Sequence, residues 1–197
     1  MIIGIDIDDT LTDIRDQLKE AALNYAKKLG KKINNEDTYI EDKNNGNTYK
    51  VKYNFTDDEL ISFFKDVQEE IVRNVEPREG AKEIITKLKE AGNTILIITA
   101  RDSKLHDDPY ELSKTWLDKN NIPYDRIIVN AQEKDIICKN ENVDIFIDDQ
   151  LANCTKVSKT GIQVIRITNY EEVHGNIINK KNWMEIYDYI KEFETKK

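Results

Sequence analysis

The sequence predicts an α/β fold, a parallel sheet buried between helices, with a helical insertion after the first strand. Three observations carry this. Short runs rich in Ile and Val recur at Ile2–Ile5, Thr94–Ile98, 126–129, 143–147 and Gln163–Ile167. Stretches with helical spacing fall between them. One long stretch, 15–78, carries helical patterns and no convincing buried strand. Nearly continuous apolar runs suit strands covered on both faces, and strand–helix alternation suits right-handed parallel crossovers.

Taken in order, Ile2-Ile3-Gly4-Ile5 is the first strand. Leu18, Ala21, Ala22, Tyr25 and Leu29 then recur at helical spacing, with Gly30 as the stop. Residues 31–54 are polar and rich in Asn and Tyr, and read as a loop. Thr56-Asp57-Asp58-Glu59 is a capping box, flanked by Phe55 and Leu60 as a hydrophobic staple. The helix it opens is expected to bury Leu60, Phe63, Phe64, Val67 and Ile71. Ala81, Ile84, Ile85 and Leu88 mark the next helix, ending at Gly92. Leu112, Trp116 and Leu117 mark another after Pro109, and Trp183, Ile186, Tyr187 and Ile190 mark the last. The expected organisation is a core of 1–14 and 79–197, with 15–78 as a cap over the sheet edge near Asp6.

Composition sets limits. The chain has 197 residues, 39% hydrophobic and 35% charged, enough for one substantial core and an accessory element. A net charge of −8 argues against a stable nucleic-acid complex or an anionic membrane as partner. It leaves room for a small phosphorylated substrate, because a metal ion reverses the local field. No apolar run approaches the roughly 18 residues of a membrane span, and the first residues lack a basic leader. The expected location is the cytoplasm. Cys138 and Cys154 have neither CxxC spacing nor a nearby His, so they read as reduced, buried thiols. His106 and His174 have no identifiable partner and are expected at the surface.

The chemistry concentrates where strands end. Asp6-Ile7-Asp8-Asp9-Thr10 follows the first strand directly. Carboxyl ends of parallel strands are where α/β proteins place their sites. Three acids in four residues repel one another unless a cation sits among them, and oxygen ligands suit Mg²⁺. A calcium loop fails on position, since Leu11 stands where its Gly is required. Thr99-Ala100-Arg101 follows the second strand; Thr99 can bond a phosphate oxygen, and Arg101 can add charge or hold a loop. Asp148-Asp149 follows the 143–147 strand and supplies carboxylates from a second strand to the same metal. Lys134 opens the helix leading into that strand.

In this order, these residues resemble the haloacid dehalogenase superfamily of phosphotransferases. Its D-x-D-x-[TV] motif matches Asp6–Thr10, its Thr or Ser matches Thr99, its Lys matches Lys134, and its acidic pair matches Asp148-Asp149. Many members carry Gly where this chain has Asp9. The resemblance implies a Rossmann-like core in which Asp6 attacks phosphorus and Asp8 first protonates the leaving oxygen, then activates water. It implies Mg²⁺ as cofactor, held by Asp6, the Asp8 carbonyl and Asp148 with Asp149 close by. Thr99 and Lys134, with Arg101, would hold the phosphate. Within the superfamily, Phe146–Asp149, Thr99–Arg101 and the late Asn182-Trp183-Met184-Glu185-Ile186 segment resemble the 5′(3′)-deoxyribonucleotidase group. This implies a 5′-nucleotidase acting on (deoxy)nucleoside monophosphates; a homodimer is compatible with it.

Aromatics of the insertion, including Tyr39, Tyr49, Tyr53 and Phe55, could stack a base or simply pack. Alternatives are a phosphatase for sugar phosphates or a polynucleotide 3′-phosphate, a phospho-acceptor signalling domain, and a non-catalytic binding domain. In receiver domains the acidic pair comes early and the Lys late, whereas here an acidic pair returns after Lys134.

Overall fold

The computed structural model describes residues 1–34, 45–172 and 174–195. Its centre is a six-stranded sheet: β1 (Ile2–Ile5), β2 (Thr94–Ile98), β3 (Arg126–Ile128), β4 (Ile145–Asp148), β5 (Gln163–Ile167) and β6 (Ile177–Lys180). The strand order is β3-β2-β1-β4-β5-β6, and every neighbouring pair is parallel. The chain leaves β1 for β2 and β3 on one side, then returns to β4 on the other. That reversal opens a crevice at the carboxyl ends of β1 and β4.

The strands alternate with period two between two buried layers. Ile3, Ile5, Ile95, Ile97, Ile145, Ile147, Ile165 and Ile167 join one apolar cluster. It is closed by Ile84, Ile85 and Leu88 of α5 (Ala81–Glu90), Leu112 and Trp116 of α6 (Pro109–Lys119), and Trp183, Ile186 and Ile190 of α9 (Trp183–Thr195). Leu96, Ile98, Phe146 and Val164 face the other way, onto Cys138 of α7 (Lys134–Asn140) and Cys154 and Val157 of α8 (Leu151–Ser158). Burial on both sides explains why these strands read as unbroken apolar runs. Gly4 is required in the central strand: a Cβ there would lie 3.0 Å from Ile98 Cδ1 and 3.2 Å from Phe146 Cδ2. Both cysteines are buried and unpaired, as expected.

The segment between β1 and α5 holds α1 (Arg15–Lys28), α2 (Asn45–Tyr53), α3 (Asp57–Phe63), a π-turn (Phe64–Gln68) and α4 (Glu69–Asn74). Gly30, at φ 66°, ends α1: its N–H donates to Lys27 O, and the Lys31 N–H donates to Ala26 O. The capping box forms on both sides, with the Thr56 N–H 2.8 Å from Glu59 Oε2 and the Glu59 N–H 3.2 Å from Thr56 Oγ1. Ala22, Ala26, Tyr53, Phe55, Leu60, Phe63 and Phe64 form a third cluster. Leu18, Val72 and Val75 belong instead to the main core.

Two expectations need correction. The 31–54 stretch is not all loop, because Asn45–Tyr53 is helical; 35–44 lies outside the described residues. Asn, Gly and Thr make α2 a poor helix former by itself. It is held by tertiary docking, with the Tyr49 and Tyr53 rings stacked 6.2 Å apart, next to Phe55, Phe63 and Phe64. The sixth strand was not foreseen. β6 has only Ile177 buried and continues as Ile178, Asn179 and Lys180, too short and too polar to carry a period. Among the described residues no helix is long and apolar enough to cross a membrane.

Candidate active site

The parallel register brings the predicted residues together. Ile5 pairs with Ile97 of β2 and Ile147 of β4, so the residues that follow these strands stand side by side. The Asp6 N–H donates to Ile147 O at 3.0 Å, placing Asp6 beside Asp148. Thr99 is fixed by its N–H to Ile128 O, also at 3.0 Å, and its hydroxyl accepts from the Arg101 N–H at 3.3 Å. Lys134, the first residue of α7, reaches back with Nζ to Asp6 Oδ1 at 2.6 Å and Asp148 Oδ2 at 2.7 Å. Asp6, Thr99, Lys134 and Asp148 are all buried.

Beyond Asp6 the chain turns sharply. The N–H groups of Thr10, Leu11 and Thr12 all point to Ile7 O, and Asp9 adopts φ 61°. This left-handed conformation is one that Gly adopts most readily. Arg78 Nη2 holds Asp9 O at 2.9 Å, and the buried Trp183 indole donates to Thr10 O at 3.2 Å. The Trp of the closing helix thus ties α9 to the turn that carries the acids.

Asp8 is gripped by Arg101 through two bonds, Nε to Oδ2 at 2.9 Å and Nη2 to Oδ1 at 2.7 Å. Arg101 is 4% exposed, and its Nη1 donates to Ser113 Oγ at 3.3 Å. Burial pushes the Asp8 carboxyl up, but the Arg101 charge and hydrogen bonds outweigh it and hold Asp8 below the usual range. Asp6 is the opposite case. Burial raises it to about 7 against the pull of Lys134, with Asp148 and Asp8 adding to the rise. Burial and the charges of Asp148, Asp9 and Asp6 also lift Asp149 well above its ordinary value.

Arg15, at the start of α1, bridges the outer acids: Nε to Asp9 Oδ2 at 3.0 Å and Nη2 to Asp149 Oδ2 at 2.6 Å. Thr10 Oγ1 lies 3.5 Å from both Asp6 Oδ2 and Asp149 Oδ1. Asp6, Asp148 and Asp149 each bring a carboxylate oxygen within 4.8 Å of the others. Two acids of this all-oxygen set stay pushed toward neutrality even with Lys134 and Arg15 beside them, so the set is short of positive charge. It fits a hard divalent cation.

A cavity of about 210 Å³ opens from these residues toward the segment between β1 and α5. Tyr49, Tyr53, Phe64, Gln68, Leu105 and His106 line that side. His106 is not a surface residue: it is 2% exposed, with its ring centroid 5.9 Å from Phe64. The preceding loop folds inward there, the His106 N–H donating to Asp102 O at 3.0 Å, and covers the ring with the π-turn. His174 is half-buried, 3.7 Å from Glu172. Phe55 packs in the third cluster; Tyr39 lies outside the described residues. Arg15, Gln68 and His106 line the cavity and are not among the residues the sequence pointed to. Only for Arg15 was there a hint, as the first cation after the acidic run.

The family described as 5′ nucleotidase, deoxy (pyrimidine), cytosolic type C protein (NT5C) matches residues 1–196. A nucleotidase of Clostridium acetobutylicum is 31% identical over 137 residues, covering 68% of this chain and 69% of the relative. A Chlorobaculum tepidum protein provisionally named a 5′(3′)-deoxyribonucleotidase is 23% identical, covering 99% and 92%. A haloacid dehalogenase-like family hydrolase from Streptococcus pneumoniae superposes with a TM-score of 0.68 at 17% identity, covering 96% and 97%, and shares the fold. With its core strands, their order and the acids at their ends as described, the chain belongs to this nucleotidase family, whose members are phosphoric monoester hydrolases, and it shares the fold of haloacid dehalogenase-like hydrolases.

Proposed function

We propose that the protein is a Mg²⁺-dependent phosphatase of (deoxy)nucleoside monophosphates that works through a phospho-aspartyl intermediate on Asp6. The observation that carries this is the convergence of Asp6, Asp8, Thr99, Lys134 and Asp148 on one cavity at the sheet's switch point. An Asp6 oxygen attacks phosphorus, and the bond to the leaving oxygen breaks. Asp8 gives that oxygen a proton. Asp8 then takes a proton from the water that attacks the acyl phosphate, releasing phosphate and restoring Asp6. Lys134 orients Asp6 and, with Thr99, faces the phosphate. Asp6, Asp148 and Asp149, with the Asp8 carbonyl, would hold Mg²⁺, which when bound neutralises phosphate charge and orients it. Residues 15–78 serve as the cap that excludes water over a core of 1–14 and 79–197.

Asp8, kept ionised by Arg101, is ready as a base but must be protonated to act first as an acid. A bound phosphate dianion is the like charge that raises it. Arg101 is therefore read as a positioning residue for Asp8 as much as a phosphate ligand. Arg101→Met is expected to lower turnover and to move the limb of the pH–rate profile belonging to Asp8 to higher pH, because a stabilising positive charge is lost. A profile that keeps its shape while falling uniformly would assign Arg101 to phosphate binding alone.

The test of the function is phosphate release from nucleoside monophosphates, sugar phosphates and p-nitrophenyl phosphate, with Mg²⁺ and with EDTA. Turnover that needs Mg²⁺ and favours deoxynucleotides is expected. No turnover on any of them would overturn the reading.

A further inference from the structure

Among the described residues, only three buried side-chain polar atoms lack a hydrogen-bond partner: Gln68 Oε1, His106 Nδ1 and Asn179 Oδ1. Gln68 and His106 both line the cavity that contains Asp6 and Asp8. Buried polar groups are almost always paired, so two orphans in one cavity wall ask for an explanation that the folded chain alone does not supply.

Gln68 closes the π-turn, whose wider winding sets Phe64 and Gln68 on the buried side while Asp66 faces solvent. Gln68 is 7% exposed, and its carboxamide oxygen has no hydrogen-bond partner within the protein. His106 Nδ1 comes only to 3.4 Å from Glu69 Oε1, a contact that counts as an ion pair only if the ring is protonated. Burial and the Arg101 charge depress the ring's affinity for a proton, so it is neutral near pH 7. The surroundings are aromatic and apolar: Phe64 meets His106 edge-on at 5.9 Å and Tyr49 edge-on at 5.7 Å, with Leu105 alongside. An aromatic, apolar wall with one carboxamide set into it complements a heteroaromatic ring with a polar edge. A carboxamide offers a donor and an acceptor side by side, which is how Gln reads base edges elsewhere.

We infer that Gln68 is a specificity-determining residue that hydrogen-bonds the polar edge of the substrate's nucleobase, with His106 as the second polar group of that subsite. The inference rests on the nucleotide reading and deepens it.

The experiment measures kcat/KM for a pyrimidine deoxynucleoside 5′-monophosphate and for 2-deoxyribose 5-phosphate, which lacks the base, in the parent, Gln68→Met and Gln68→Leu. Thermal melts without substrate run alongside. The parent is expected to prefer the nucleotide. In the variants the nucleotide-to-sugar-phosphate ratio is expected to fall roughly tenfold, the scale of one base-edge contact, mainly through KM. The melting temperature is expected to hold or rise, since an orphaned carboxamide has been removed. An unchanged ratio, or equal losses on both substrates with a lowered melting temperature, makes Gln68 structural and overturns the inference while leaving the nucleotide reading intact. A parent with no preference for the nucleotide overturns both.

Discussion

Asp6→Asn is expected to lower phosphate release by about 10⁴-fold or more, the loss seen when a covalent catalyst's nucleophile is removed. Metal-free protein at pH 8 should nevertheless be at least as stable as the parent. Asn keeps the shape of Asp and an oxygen for Lys134 Nζ, which lies 2.6 Å from Asp6 Oδ1. An amide oxygen cannot form the acyl phosphate. The stability side follows from protonation. Burial raises Asp6 from 3.8 to about 7, so without metal the folded protein binds a proton that the unfolded chain has released. Its contribution is present below about pH 4 and is lost as pH rises through about 7. Asn has no proton to lose, so that slope disappears from the variant. Denaturation in EDTA at pH 5 and pH 8, beside single-turnover phosphate release, checks both halves. Retention of more than about 1% of the parent's turnover would place the nucleophile elsewhere.

The parts of the molecule that were legible share one physical property: their signal is local. β1, β2 and β5 lie in the sheet interior or next to it and are buried on both faces, so hydrophobicity marks them residue by residue. The acids at Asp6 and Asp148 stand out because a carboxylate directly after such a run is unusual, and the register then sets them side by side. The edge strand β6 has no such run. Helix α2 has weak intrinsic propensity and exists because Tyr49 and Tyr53 dock against residues of α3 and the π-turn. Gln68 and His106 lie in helix and loop sequences with no distinguishing pattern, and converge only in three dimensions. Arg101 was legible as a cation near the phosphate site, but its bidentate hold on Asp8 was not. What was missed depends on contacts between distant segments, which no window along the chain contains.

Lys134→Met is expected to destabilise metal-free protein by about 3–5 kcal/mol at pH 8, the cost of stripping the partner from buried charges. Lys134 is 3% exposed, and its ammonium sits 2.6 Å from Asp6 and 2.7 Å from Asp148. Met replaces the stem and removes the charge, so packing changes little and the deficit is electrostatic. Those two carboxylates hold Lys134 well above its ordinary value, so in the parent its charge is constant from pH 5 to pH 8 and adds no slope there. In the variant, Asp6 loses the attraction that opposes its burial and rises above its value of about 7. The variant's stability therefore falls as pH rises toward 8, and most of the deficit is recovered near pH 5, where the carboxyl is neutral. Mg²⁺ should restore much of it at pH 8, because a second cation answers the same carboxylates. Turnover should not return with it: losing one preorganised donor to a phosphoryl group costs about 10²–10³ in kcat, and a metal held by Asp6, Asp148 and Asp149 does not replace it. Urea denaturation at both pH values, with EDTA and with Mg²⁺, separates the possibilities. An equal loss under all four conditions would mean that Lys134 matters for packing, and that the charge balance argued for this site is wrong.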